Sequence, residues 1–335
     1  MSISRAVPPW WSFFLFPALL LCVDRCFGAF ASQHFIPARK LETALGVRAA
    51  DVVVTGDSRM AAAFVSQSFG TGWRAGTGFA PRVADMSLGG VGLAGQVVAV
   101  RRFFERGGTA RLVLLGTVPE ALKYEPADPD NWIGNEAITI WWSHATDAKV
   151  HFNEESSNPR TFDARFRFTM YRVSTLASLR SLLWFRAQRL QDSLLQKDRM
   201  PSNAFGEVDE MRALEARWVA QGLEASRAGV AAWTLSPWVC ELRRVVDDHR
   251  ARLIVAELPM PSSYRPVRES GLGQELRTRL PTDFCGRNVP WVDLSTLPGL
   301  TDADFSDGLH VGHGGAELVS QLLGLRTAVL SPPRE

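Results

Sequence analysis

Ala50-Asp51-Val52-Val53-Val54-Thr55-Gly56-Asp57-Ser58-Arg59-Met60-Ala61-Ala62-Ala63 passes, at Gly56 and Asp57, from an apolar run of strand length into a stretch rich in Ala and Met. Asp51 to Thr55 reads as a strand and Arg59 to Phe69 as a helix, so the fold begins with a strand, a tight turn and a helix. The alternation continues outward from there. Arg82 to Ser87 reads as a strand, Leu93 to Arg106 as a helix and Arg111 to Gly116 as a third strand. After an interruption, Pro237 to His249 reads as a helix, Ala251 to Leu258 as a strand, Val289 to Asp293 as a short strand and Gly314 to Leu325 as a closing helix. Apolar strands alternating with helices predict an α/β fold, a three-layer α/β/α sandwich around a mainly parallel five-stranded sheet.

The interruption, residues 120–235, follows a different pattern and is expected to be a helical insertion into a domain covering 50–330. It opens with a Pro- and Asp-containing loop, Tyr124 to Asn131, followed by Trp132, Trp141 and Trp142. From Arg165 to Gln196, Phe168, Tyr171, Leu176, Leu179, Leu183 and Leu190 recur near helical spacing, with Arg172, Arg180, Arg186 and Arg189 between them. Packing of that face on the core is the expected arrangement, and lying along a membrane surface is the alternative.

Bulk properties exclude more than they assign. A formal charge of +2, with 21% charged and 46% hydrophobic residues, describes a globular protein, neither a nucleic-acid binder nor a disordered acidic chain. Lys occurs only at positions 40, 123, 149 and 197, so Arg carries nearly all the positive charge. Residues 1–30 carry an uncharged Trp-, Phe- and Leu-rich run, Val7 to Val23, before Asp24. As a helix it spans about 25 Å against a hydrocarbon core of roughly 30 Å, which suits an export signal or a short signal anchor. Pro8, Pro9 and Pro17 fit a buried soluble helix poorly. Residues 31–49 are expected to be a linker. This layout predicts a single-pass membrane protein with its domain on the periplasmic or extracellular side. Of the four cysteines, Cys240 and Cys285 either pair or remain separate buried thiols, and no spacing suggests a metal site.

Chemistry points to two short segments far apart in sequence. Ser58 follows the first strand, where its hydroxyl would sit at the carboxyl edge of the sheet beside helix N-terminal amides that favour a developing negative charge. A serine hydroxyl needs a base at neutral pH. Among six histidines, His310 in Asp307-Gly308-Leu309-His310 suits the role, because Asp307 can accept its other ring N–H and fix the tautomer. A lone Gly-Asp-Ser is an ordinary cap and a lone Asp-x-x-His an ordinary loop. Their placement, one ending the first strand and the other preceding the last helix, singles them out.

In these blocks the chain resembles the SGNH, or GDSL-like, hydrolase superfamily. The resemblance implies a flavodoxin-like fold, with Ser58 as nucleophile, His310 as base and Asp307 as its partner. It also implies an oxyanion hole built from the N–H groups of Ser58 and Gly90, the latter ending Asp85-Met86-Ser87-Leu88-Gly89-Gly90. The family block usually starts with Asn where this chain has Asp85. Its third block, commonly Gly-x-Asn-Asp, is Gly116-Thr117-Val118-Pro119-Glu120 here, without the Asn, and Thr117 is the candidate substitute. Loss of one donor typically costs about 100- to 1000-fold in turnover. Asp57 and Arg59, flanking the nucleophile, are candidate substrate-binding residues. The anchor-first layout is also similar to exported proteins that acylate teichoic acids or alginate beside a membrane-bound O-acyltransferase.

The expectation is therefore a serine O-acyltransferase or esterase acting on a cell-envelope polysaccharide, without a cofactor. Alternatives are a general GDSL-type esterase or lipase and an inactive polymer-binding protein. A dinucleotide-binding oxidoreductase is suggested by Gly90-Val91-Gly92-Leu93-Ala94-Gly95, but that motif follows the second strand, and no acidic residue ends the next one.

Overall fold

The structure, a computed structural model, describes residues 36–89, 92–123, 233–306 and 308–331, with a few positions between 216 and 227. The segments Val7 to Val23, Tyr124 to Asn131 and Arg165 to Gln196, together with Gly90 and Asp307, lie outside the described residues. The elements below belong to one compact unit, 40–128 with 199–335, entered through a helix that starts at Ile36.

In chain order the elements begin with α1 (Ile36–Gly46), β1 (Ala49–Gly56), α2 (Ser58–Ala63), α3 (Ser66–Thr77), β2 (Val83–Asp85), α4 (Leu93–Glu105) and β3 (Thr109–Thr117). They continue with α5 (Pro237–Asp248), β4 (Arg252–Glu257), α6 (Arg265–Arg268), α7 (Gly271–Arg279), β5 (Trp291–Asp293) and α8 (His313–Leu330). The five strands form one sheet in the order β2-β1-β3-β4-β5, and every pair is parallel. β1 is buried from Ala50 onward, β3 from Leu112 and β4 from Leu253. That explains their apolar runs, Val52 to Val54, Leu112 to Leu115 and Leu253 to Ala256: a parallel strand covered on both faces has no polar side to alternate with.

Val52, Val54, Leu112, Leu114, Ile254 and Ala256 share one core with Met60 of α2, Phe69 and Trp73 of α3, and Val319 and Leu323 of α8. Side chains alternate along a strand, so the buried Val53, Val113, Leu115 and Val255 serve the opposite face. There α4 packs on β1, α5 on β4, and the two helices on each other. The chain is a three-layer α/β/α sandwich, as its alternation predicts.

Three features differ from the sequence reading. The expected helix Arg59 to Phe69 is two helices, broken where Phe64 and Val65 become extended. Ser320 of α8 accepts the Val65 N–H at 2.7 Å and donates to the Ala63 carbonyl at 2.7 Å, satisfying backbone groups that the break exposes. The stretch read as a linker contains α1, anchored by buried Leu41, Ala44 and Leu45. The closing helix starts at His313 and runs on to Leu330.

α3 and α8 meet backbone to backbone. A Cβ on Gly72 would stand 1.8 Å from the Gln321 carbonyl oxygen, and one on Gly324 would stand 2.1 Å from that of Phe69, so only glycine permits the approach. Cys240 of α5 is disulfide-bonded to Cys285 in the loop after α7, which settles the pairing that the sequence left open. Among the described residues no helix is long and apolar enough to cross a membrane.

Candidate active site

Strand order reverses between β1 and β3, so the crevice beyond their carboxyl ends is where a sheet of this order places a ligand. Gly56, the last residue of β1, is in register with Gly116, the next to last of β3. Met60 lies over both: a Cβ on Gly56 would fall 2.5 Å from the Met60 Cβ, and one on Gly116 would fall 2.2 Å from its Sδ. The two glycines thus let α2 settle directly onto the sheet. Gly56 also has φ +154°, a conformation L side chains rarely adopt. Ser58, the first residue of α2, is half-buried at this edge, and among the described residues its hydroxyl makes no hydrogen bond.

Asp57 caps α2. Its carboxylate accepts the Arg59 backbone N–H at 2.9 Å and binds the Arg59 guanidinium through Nε and Nη2. Arg59 is 6% exposed, so both candidate substrate-binding residues are engaged with each other at the rim of the site. Burial alone would raise the Asp57 carboxyl. The Arg59 guanidinium and N–H outweigh it, with a smaller contribution from His310, and the carboxyl titrates below its usual range.

His310 is buried, with 9% exposure, in a loop closed at its base by the Phe305–Val311 bridge. Its carbonyl accepts the Ser306 N–H at 2.8 Å and the Ser306 hydroxyl at 3.1 Å. Gly312 N–H bonds the Asp304 carbonyl, and Thr301 and Asp304 form a capping box on the turn before it. Asp302 in that turn accepts the Ser262 N–H at 2.7 Å and the Ser262 hydroxyl, stitching the histidine's approach to the loop that leaves β4. Ser320 ties α8 to the end of α2. The segments carrying Ser58 and His310 are therefore cross-linked by short-range contacts despite their separation in sequence.

The second block runs alongside β1. Met86 N–H bonds the Val54 carbonyl at 2.8 Å and Leu88 N–H the Gly56 carbonyl at 3.1 Å, which brings Gly89 against Ser58: a Cβ there would lie 3.8 Å from that of Ser58. Thr117 is buried at the end of β3, but its hydroxyl donates to the Val118 carbonyl at 3.2 Å.

Sequence reasoning missed a charged cluster at this edge, built around the buried Glu257. Arg277 of α7 reaches Glu257 at the end of β4 and Glu120 after β3, each at 2.7 Å, and also donates to the Gly273 carbonyl at 2.8 Å. Glu120 Oε2 is buried with no hydrogen-bond partner. Burial pushes the Glu257 carboxyl up to about 7 despite Arg277, with Asp293 and Glu120 adding repulsion. Tyr264, buried beside these charges, is held above its usual phenol range chiefly by burial and so remains a neutral donor. A signal existed at Glu257, because a carboxylate ending the apolar run Leu253 to Ala256 requires a buried partner.

The opposite edge of the sheet has an open cavity of about 670 Å³ lined by Arg111, Arg243, Asp247, Arg250 and Arg252. Two of these guanidinium groups serve carbonyls there: Arg252 bonds that of Leu330 at 2.7 Å, and Arg243 those of Phe284 and Asn288 at 3.1 Å. No group of metal-ligating side chains occurs among the described residues. No family model matches the chain, and no curated protein matches it.

Proposed function

We propose that the chain is a serine acyl-transfer enzyme of the SGNH type, an O-acyltransferase or esterase acting on a cell-envelope polysaccharide. The observation that supports this reading is the position of Ser58 at the switch point of a 2-1-3-4-5 sheet with the Gly89 turn packed against it. In this mechanism Ser58 Oγ attacks the acyl carbon, and His310 takes its proton and returns it to the leaving group. Asp307 orients the imidazole. The N–H groups of Ser58 and Gly90 receive the developing oxyanion. Thr117, whose hydroxyl already serves Val118, would contribute through its backbone. Water as acceptor gives an esterase, and a sugar hydroxyl gives a transferase.

The Cys240–Cys285 disulfide supports export, because such bonds persist in oxidising compartments. The apolar segment Val7 to Val23 supports a membrane anchor, with a membrane-bound O-acyltransferase as the acyl-supplying partner.

Treatment of the full chain with a fluorophosphonate tests the nucleophile. The Ser58 Oγ–P bond forms, the P–F bond breaks, fluoride leaves and the hydroxyl proton passes to His310. Intact mass should rise by one adduct in the wild type and stay unchanged in Ser58→Ala. An unlabelled wild type would overturn the serine mechanism and favour a polymer-binding role. With labelling established, acetyl release to water compared with transfer to an oligosaccharide separates esterase from transferase.

A further inference from the structure

Where the family block usually starts with Asn, this chain has Asp85, and the substitution places a full negative charge on the turn leading to the oxyanion donors. Asp85 Oδ1 accepts the Ser87 N–H at 3.0 Å and the Ser87 hydroxyl at 2.6 Å, work that an uncharged amide oxygen also does. The other oxygen, Oδ2, lies 2.7 Å from Nζ of Lys40, and that ammonium also donates to Ser87 Oγ at 2.9 Å. The roles are mutually compatible: Ser87 Oγ accepts from Lys40 while donating to Asp85. Lys40 reaches across from α1, held by buried Leu41, Ala44 and Leu45. Neither side chain is far from water, with Lys40 27% and Asp85 22% exposed, yet the triangle is closed at every polar atom it uses. From this turn the chain continues through Leu88, pinned to the Gly56 carbonyl, to Gly89 beside Ser58.

We propose that Lys40 is a positioning residue for the acyl-transfer site: it cancels the Asp85 charge and fixes the Ser87 turn so that the chain at Gly89 lies against Ser58. The inference rests on the acyl-transfer reading above. A bare carboxylate here would oppose the negative charge that builds on an acyl or phosphoryl oxygen, and a loosened turn would misalign the donors. The residue type fits the task. Three donors on one nitrogen can meet a carboxylate and a hydroxyl together, whereas a guanidinium offers a planar fork. In a chain whose positive charge is almost all arginine, a lysine stands where that geometry is required.

The test is the second-order rate of fluorophosphonate labelling of Ser58 in the full chain, with thermal melting as a control for folding. Lys40→Met should slow labelling roughly 10- to 100-fold, and raised salt should recover part of that loss by screening Asp85. Adding Asp85→Asn to Lys40→Met should restore most of the rate, because the amide keeps the Ser87 bond without the charge. A role confined to stability would leave the double variant as slow as the single. Labelling of Lys40→Met at the wild-type rate, or a double variant that stays slow, overturns the inference while leaving the acyl-transfer reading intact. An unlabelled wild type overturns both. If Lys40→Met does not fold, Lys40→Gln carries the same comparison with the same expected outcome.

Discussion

Glu257 is 1% exposed, paired to Arg277, and faces Asp293, Glu120 and Tyr264, an environment that keeps a proton on it until the pH reaches about 7. Below pH 4.5 the residue is protonated in both folded and unfolded chains and is neutral in the balance. Between about pH 4.5 and 7 the unfolded chain has lost the proton and the folded one retains it, so the stability tied to this group falls as pH rises, by about 3 kcal/mol in all. Glu257→Gln keeps a hydrogen-bond acceptor for Arg277 and removes the titration. The wild type should therefore lose melting temperature relative to Glu257→Gln between pH 5 and pH 8, and parallel curves would show that Glu257 does not titrate in this window. At this scale the candidates Ser58 and His310 stand out in the sequence because each sits in a short block at an element boundary. Lys40, Glu120 and Arg277 were not, because their meaning lies in partners 47, 157 and 20 residues away, and isolated charges have no local signature.

Among elements, the α3–α8 contact tests most directly why particular residues are required. Gly72→Ala should destabilise the protein by about 1–3 kcal/mol, because the new methyl meets the Gln321 backbone and the helices must separate. Gly314→Ala, in the first turn of α8 with nothing within 4 Å of the added carbon, should stabilise it by about 0.5–1 kcal/mol. Chemical denaturation of the two variants reads both signs, and a neutral Gly72→Ala would contradict the close approach. The strands were legible because burial on both faces leaves an unbroken apolar run such as Leu112 to Leu115. The division between α2 and α3 was not, since Phe64 and Val65 continue an acceptable helical pattern. The groups it exposes are met by a serine 255 residues further on. α7 was missed for a local reason: Gly271 and Gly273 weaken its helical signal, and a cap from Ser270 to the Gly273 N–H offsets them.

At the scale of the whole molecule, Cys240–Cys285 closes a loop between residues 45 apart and staples α5 to the segment before β5. Reduction, or Cys240→Ala with Cys285→Ala, should cost about 2–4 kcal/mol by releasing that loop in the unfolded chain. A melting temperature unchanged by reductant would contradict the pairing. The tie from Ser320 to Ala63 and Val65 has a consequence in time. Synthesis delivers Ser58 some 250 residues before His310, roughly 10 s or more of translation, and the seat for α8 is made from the end of α2 and the glycines of α3. On the proposed reading, a chain still emerging from the ribosome or the export channel carries an unarmed serine. On that reading, docking of α8 both covers its side of the sheet and switches the chemistry on, so a chain without it is chemically silent.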